Sequence, residues 1–302
     1  MECCLDFKPV ITGSGFKMEG YYVWCGSVLH EDGMYYLFAS RWKKEKEFPG
    51  GYMTDSEIVL AQTDNLNKPF EFKKVIIGKR DGNYWDSVMA HNPYIIKLGD
   101  KYVLYYIGNT DGRSQTRKIG YAYCDSVDGE WIRAEQAIDL PEDANNPCVV
   151  SNNGELLLYY RDGGLRVSVA KAEKFDGEYK VVKENIFPKG MVEDMFVYHD
   201  GEKYIMIAED AGGAYTGLKK GGVRFLSHDG ITWDEDSAVP AYGFNITYDD
   251  GRTEELQRRE RPMILFDNDK KYLFTSAKIN GELKLEGGDT WNMVQEFVNV
   301  SN

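Results

Sequence analysis

The sequence predicts an all-β fold, a single five-bladed β-propeller over residues 1–302 with blades of three to four antiparallel strands. Two observations predict it. Five segments share one grammar, an apolar strand, a tight Gly/Asp/Asn turn and a second strand rich in tyrosine, and four of them are followed by a further strand that runs into a turn and an aromatic. The unit recurs about every 50 to 70 residues, a spacing that belongs to propeller blades.

In chain order the hairpins read "VWCGSVLHEDGMYYLFASRW", "NPYIIKLGDKYVLYYIG", "NPCVVSNNGELLLYYRDG", "DMFVYHDGEKYIMIAED" and "RPMILFDNDKKYLFTSA". The strands that follow the first four are "SEIVLAQTDNLNKPFEF", "KIGYAYCDSVDGEWI", "LRVSVAKAEKFDGEYKV" and "GGVRFLSHDGITWDE". After the fifth comes only "GELKLEGGDTWNMVQEFV", and the N-terminal "LDFKPVIT" is expected to add the missing outer strand and close the ring. No window of a dozen residues has a helical period; "DDGRTEELQRRERP" comes nearest and reads as a loop or short turn. A β-sandwich is the rival architecture, and the evenness of the repeat disfavours it.

With 302 residues and 14% aromatics the chain buries a sizeable core, which excludes a disordered protein. Its net charge of -13 and the lack of a basic stripe argue against nucleic acid or anionic lipid as a partner, because both need a lysine or arginine surface. "MECCLDFKPVITGSGFK" has no basic and apolar leader pattern, and no stretch approaches the roughly 20 apolar residues of a membrane span, so a soluble, cytoplasmic protein is expected. The five scattered cysteines form no C-x-x-C pair; they read as reduced, buried thiols rather than a disulfide framework or a zinc site.

In a propeller the first strand of each blade lines the central channel, so its head and the end of the second strand share one mouth. The heads are Trp24; His91 and Asn92; Asn145 and Asn146; Glu193 and Asp194; Glu260 and Arg261. The second strands end at Ser40 and Arg41; Gly108 and Asn109; Arg161 and Asp162; Glu209 and Asp210; Ser276. A lone Asn-Pro or Glu-Asp at a strand start is ordinarily a turn or a solvated loop. Recurrence at one register in successive blades, with Trp24, His91, Arg161 and Arg261 among the set, points instead to a pocket for a small polar ligand.

The chemistry open to such a rim is narrow. The chain has no G-x-S-x-G elbow, no phosphate-cradling glycine loop and no H-E-x-x-H; of its four histidines, His30, His199 and His228 occupy or adjoin turns. Carboxylates are plentiful, and a carboxylate pair is the tool of glycosidic bond cleavage: one acid with a raised pKa protonates the leaving oxygen while the other carboxylate activates water or attacks the sugar. Asp86, Glu193, Asp194 and Glu260 are the catalytic candidates. Trp24 and Trp85 offer flat apolar faces, Arg41, Arg161 and Arg261 offer donors, and His91, Asn92, Asn146 and Asp210 complete the expected substrate-binding set. This chemistry requires no cofactor, and no contiguous calcium loop is present, so no metal is expected. The long loops "RWKKEKEFPGGYMTDSE" and "EDAGGAYTGLKKGG" are expected to hang over the mouth.

Five hairpins with "HNP", "NNP", "VED" and "RERP" at the strand heads resemble the five-bladed propeller glycoside hydrolases, the group around glycoside hydrolase families 43, 62, 32, 68 and 117. The resemblance spans roughly residues 21 to 277 and is one of architecture and motif placement. It implies an exo-acting hydrolase of oligosaccharides that releases terminal furanosyl, xylosyl or anhydro-sugar units, with three inner-strand acids as base, pKa modulator and acid. Two departures stand out. Where arabinanase-like members open the first blade with an aspartate, this chain has Trp24, Cys25 and Gly26, and the invertase-like "NDPNG" is absent. Family 117-like enzymes use a histidine near the acid, which His91 parallels. The other readings are a mannoside-phosphorylase-like propeller, weighed down by a rim that reads as mostly acidic, and a non-catalytic carbohydrate-binding propeller.

Overall fold

Each hairpin joins the strand after it in one antiparallel sheet, and five four-stranded sheets form the ring. This computed structural model describes residues 3–280 and 287–299; residues 281–286, which open the segment after the fifth hairpin, lie outside the described residues. The N-terminal strand is β1 (Leu5–Phe7). Blade I is β2 (Tyr21–Glu31), β3 (Met34–Lys43), β4 (Glu57–Thr63) and β5 (Glu71–Ile77), and a short helix, α1 (Tyr52–Asp55), interrupts its second crossing. Blade II is β6 (Met89–Leu98), β7 (Lys101–Asn109), β8 (Lys118–Cys124) and β9 (Ile132–Arg133); blade III is β10 (Asn145–Asn152), β11 (Glu155–Arg161), β12 (Val167–Ala172) and β13 (Lys180–Lys183). Blade IV is β14 (Val192–His199), β15 (Tyr204–Asp210), β16 (Gly221–Ser227) and β17 (Trp233–Pro240). "DDGRTEELQRRERP" is a small hairpin, β18 (Asn245–Thr247) with β19 (Thr253–Glu255), and then the start of β20 (Arg258–Asp267). Blade V continues with β21 (Lys270–Ile279) and β22 (Asp289–Asn299) and takes β1 as its outer strand.

The hydrophobic pattern explains the layering. A middle strand such as β7 is buried along nearly its whole length because its blade is covered on both faces by neighbouring blades, so it reads "YVLYYI" rather than alternating. Outer strands β5 and β13 are largely exposed and carry charge, which protects the rim of the ring from edge pairing. The inner strands touch in a closed cycle, β2 with β6, β6 with β10, β10 with β14, β14 with β20 and β20 with β2. The channel mouth is therefore built from five equivalent strand heads.

Closure depends on the pairing of Leu5 with Asn299 and Phe7 with Phe297, where Leu5 is 6% exposed and the two phenylalanine rings sit 5.9 Å apart. Leu5→Ala leaves a cavity at this seam. It is expected to lower the unfolding free energy by about 2 kcal/mol, read as a shift of the urea midpoint.

Candidate active site

One backbone device repeats at every strand head. The pairing of first and second strand slips between Trp24 and Ser27, His91 and Tyr94, Asn145 and Cys148, Glu193 and Phe196, and Glu260 and Met263. At each slip the second residue is left-handed: Cys25 (φ 54), Asn92 (φ 52), Asn146 (φ 54), Asp194 (φ 54) and Arg261 (φ 56). Asn and Asp tolerate this region; for Cys and Arg it is strain of about 1–3 kcal/mol, held in place by the surrounding sheet. Proline follows in three blades, a residue without an N–H to leave unpaired in a bulge. In blade I the follower is Gly26, because the Asn292 side chain lies where a Cβ would stand.

The bulges turn these side chains toward one another across the channel. Cys25 Sγ donates to Asn92 Oδ1, Asn92 Nδ2 donates to Asn145 Oδ1 (2.9 Å) and Asn146 Oδ1 (2.7 Å), and Asn146 Nδ2 donates to Asp194 Oδ1 (2.6 Å). Arg261 completes the chain, its Nη1 at 3.2 Å from Asp194 Oδ1 and its backbone N–H at 3.2 Å from Oδ2. Burial pushes the Cys25 thiol well above its ordinary value, so it serves as a neutral donor and not as a nucleophile.

Above this network lies a cavity of about 140 Å³ lined by Trp24, His91, Asn92, Asn146, Arg161, Glu193, Asp194, Glu260 and Arg261 from the expected set. Its apolar wall is Trp24, Trp42, Phe48 and Tyr52, with Phe48 5.3 Å from Trp24 and 5.7 Å from Trp42. The loop between β3 and β4 supplies Phe48 and Tyr52, as expected of a segment that overhangs the mouth. Asp55 of this loop and Glu57, which opens β4, point elsewhere, to the Lys43 N–H and to Arg41. His91 stacks on Tyr52 at 4.3 Å and lies 2.8 Å from Ser56 Oγ; burial holds its pKa well below the usual imidazole range, so the ring is neutral.

Four expected residues stand away from the cavity. Asp86 is fully buried in the outer part of blade II, where it accepts from Arg80 Nε (2.8 Å), Tyr106 Oη (2.6 Å) and the Arg133 guanidinium. Its neighbour Trp85 packs on Tyr106 and donates to the Ala134 carbonyl at 3.1 Å. Arg41 faces opposite to Ser40, pairing with Glu57 at 2.7 Å between the rings of Tyr21 and Phe72. Asp210 accepts from the backbone of Ala214, Tyr215 and Thr216 at 2.8–3.0 Å and so shapes the loop after β15. Trp85 and Asp86 precede β6, while Arg41 and Asp210 lie at the ends of second strands, and side-chain direction, not proximity in sequence, separates them from the mouth.

The acids divide by environment. Glu193 lies at the cavity with Arg161 Nη1 2.8 Å from its Oε1, and its pKa is raised, by burial first, with Arg161 opposing. Glu209, its partner across the ladder, is fully buried and raised well above the carboxylate range, by burial and then by Glu260 and Asp194. Glu260 sits against Arg258 Nη1 (3.1 Å) and Lys220 Nζ (3.5 Å). Carboxylate oxygens of Asp194, Glu209 and Glu260 gather within 4.8 Å of one another, a grouping that suits a cation, and the Lys220 ammonium lies 2.9 Å from Glu209 and 3.5 Å from Glu260.

Sequence reasoning missed Trp42, Phe48, Tyr52, Arg117, Arg258 and Lys220. Strand alternation would have found two of them, since Trp42 lies two residues beyond Ser40 and Arg258 two before Glu260. With these cations included, the mouth is not mostly acidic. Arg117, Arg161, Arg258, Arg261 and Lys220 balance Asp143, Glu193, Asp194, Glu209 and Glu260.

Glu209→Gln tests the buried acid. Because its folded pKa is raised, the native state binds more protons than the unfolded chain above about pH 4.5, and stability falls as pH rises through that window, by at most about 1.4 kcal/mol per pH unit for one group. The glutamine variant lacks this slope. Its melting temperature is expected to gain on the wild type as pH rises above about 4.5, by some degrees.

No protein-family model matches the chain, and no curated protein matches it in sequence. Solved structures do. Zg3597, a family 117 glycoside hydrolase of the marine bacterium Zobellia galactanivorans, superposes with a TM-score of 0.71 at 15% identity, over 97% of this chain and 90% of that one. The catalytic domain of the Coprinopsis cinerea GH62 α-L-arabinofuranosidase gives 0.70 at 12% identity, covering 97% of each. CoXyl43, a GH43 β-xylosidase/α-arabinofuranosidase from a compost microbial metagenome, gives 0.67 at 14% over 96% of this chain and 93% of that one. The chain thus has the five-bladed β-propeller fold that glycoside hydrolases of families 43, 62 and 117 also have.

Proposed function

We propose that the protein is an exo-acting glycoside hydrolase that removes one terminal sugar unit from an oligosaccharide. The observation that carries this reading is a pair of glutamates from equivalent positions of blades IV and V, Glu193 and Glu260, placed in contrasting surroundings in one small pocket. Glu193, whose pKa burial raises, gives its proton to the glycosidic oxygen as the C1–O bond breaks. Glu260, set between Arg258 and Lys220, is the carboxylate that activates water or bonds to C1. Asp194 has both oxygens engaged by protein donors, which suits it to fix the geometry rather than take a proton. The cavity is smaller than the roughly 300–1,000 Å³ of pockets for drug-sized ligands, which supports one ring rather than a chain. The shared fold is consistent with this reading, one of those structures being described in complex with xylotriose.

The test is a mass-spectrometric product screen of the purified protein against plant and algal oligosaccharides, with and without inorganic phosphate. A free monosaccharide in both conditions is expected. The cations of the mouth favour one second reading, phosphorolysis, and a sugar phosphate formed only with phosphate would replace the hydrolase by it. No product from a broad panel would leave a carbohydrate-binding propeller, in keeping with Cys25 at a position where the resemblance to arabinanase-like hydrolases implies an aspartate.

A further inference from the structure

We infer that the sugar ring held in the mouth bears a carboxylate, which Arg161 receives with Arg117 beside it, so that the protein acts on acidic sugar ends. The inference rests on the hydrolase reading and narrows its substrate class.

Four guanidinium groups line the cavity, and they differ in what occupies them. Arg261 Nη1 reaches Asp194, Arg258 Nη1 reaches Glu260, and Arg117 is tied through Nε to Asp143 (2.6 Å) and through Nη1 to the Tyr52 hydroxyl (3.0 Å). Arg161 gives Nη1 to Glu193, while its Nε is buried with no acceptor in the protein. A buried guanidinium N–H without an acceptor is costly, and a bound oxyanion relieves it. Arg117, bound to the Tyr52 hydroxyl, and Arg161 line the same small cavity.

Charge balance points the same way. The cavity lining carries four guanidinium groups, Arg117, Arg161, Arg258 and Arg261, against three carboxyl groups, Glu193, Asp194 and Glu260. That excess of cations is left standing by a neutral sugar and offset by a monoanion. A planar carboxylate matches the guanidinium fork. Free phosphate fits less well: a cavity of about 140 Å³ that takes a ring leaves little space for a second ion, which at about -1.5 to -2 would also face Glu193, Asp194 and Glu260. Drawing Arg161 onto the substrate would also remove the counter-charge from Glu193, favouring the protonated form that catalysis needs.

The experiment is calorimetric titration of the full chain with oligosaccharides ending in a hexuronate, each paired with its methyl ester, and with inorganic phosphate alone. The acid of at least one pair is expected to bind at least about tenfold tighter than its ester. In Arg161→Gln that ratio should collapse toward one, and in Arg161→Lys it should be partly restored, with melting curves confirming that both variants fold. Equal or weaker binding of the acids, or no binding of any acid, overturns the inference. So does saturable phosphate binding that Arg161→Gln abolishes without any preference for acids, which would assign the arginines to phosphate. Binding is read without turnover, so the two claims fail separately: acid preference without cleavage rejects the hydrolase, and cleavage of neutral ends without acid preference rejects the acidic sugar.

Discussion

Replacing Glu193 by Gln is expected to lower kcat on a natural glycoside by about 10²–10⁴-fold while ligand affinity changes little. The amide preserves size and the contact with Arg161 but has no proton to give. The loss should depend on the leaving group: an aryl glycoside that departs as a stable phenolate needs little protonation, so much of the rate should return with it. In the wild type, kcat/KM should fall on the alkaline side as Glu193 loses its proton, at a pH above the ordinary glutamate value because burial raises it. The residual activity of the glutamine variant should lack that limb. Initial-rate kinetics with both substrate classes across pH settle the assignment; full turnover of the natural glycoside by the variant would remove Glu193 from the role of acid.

The second large effect concerns a residue outside the mouth. Asp86 joins Arg80, Arg133 and Tyr106 in a charge cluster with no solvent exposure at the carboxylate. Asp86→Ala strands two guanidinium groups that are themselves mostly buried, and should lower stability by about 3–5 kcal/mol, a large part of the total for most domains. Activity per folded molecule at low temperature should stay near that of the wild type. Chemical denaturation and active-site-normalised kcat read the two parts independently. A stable but inactive variant would return Asp86 to the catalytic set.

Asp86 also shows where sequence stops informing. An acid near a strand head reads the same whether it points into the channel or into a seam between strands, and only the chain's path from Gly78 to Met89 decides. The blades themselves were legible because covering a sheet on both faces demands long apolar runs, such as those of β7 and β11, separated by short polar turns. The closing strand was legible by elimination, since the fifth repeat lacked an outer strand and the N-terminal "LDFKPVIT" belonged to no other blade. The bulge was not. Its left-handed residue is Cys, Asn, Asn, Asp or Arg depending on the blade, so no residue type marks the device, and only superimposing the five heads reveals it. Phe48 and Tyr52 stayed hidden because loop shape, unlike strand alternation, has no period to read.

The pairing of Leu5 with Asn299 places the two ends of the described chain side by side in blade V. Blade order along the gene is then only one of several equivalent ways of cutting a circle. A short peptide joining the two ends of this 302-residue chain, with new ends opened at an exposed hairpin turn such as Asp32–Gly33, should give a circular permutant that keeps the same mouth. What would change is the order in which blades are completed during synthesis: the natural chain must wait for its last strand to meet its first, whereas a permutant cut within a turn can finish every blade but one locally.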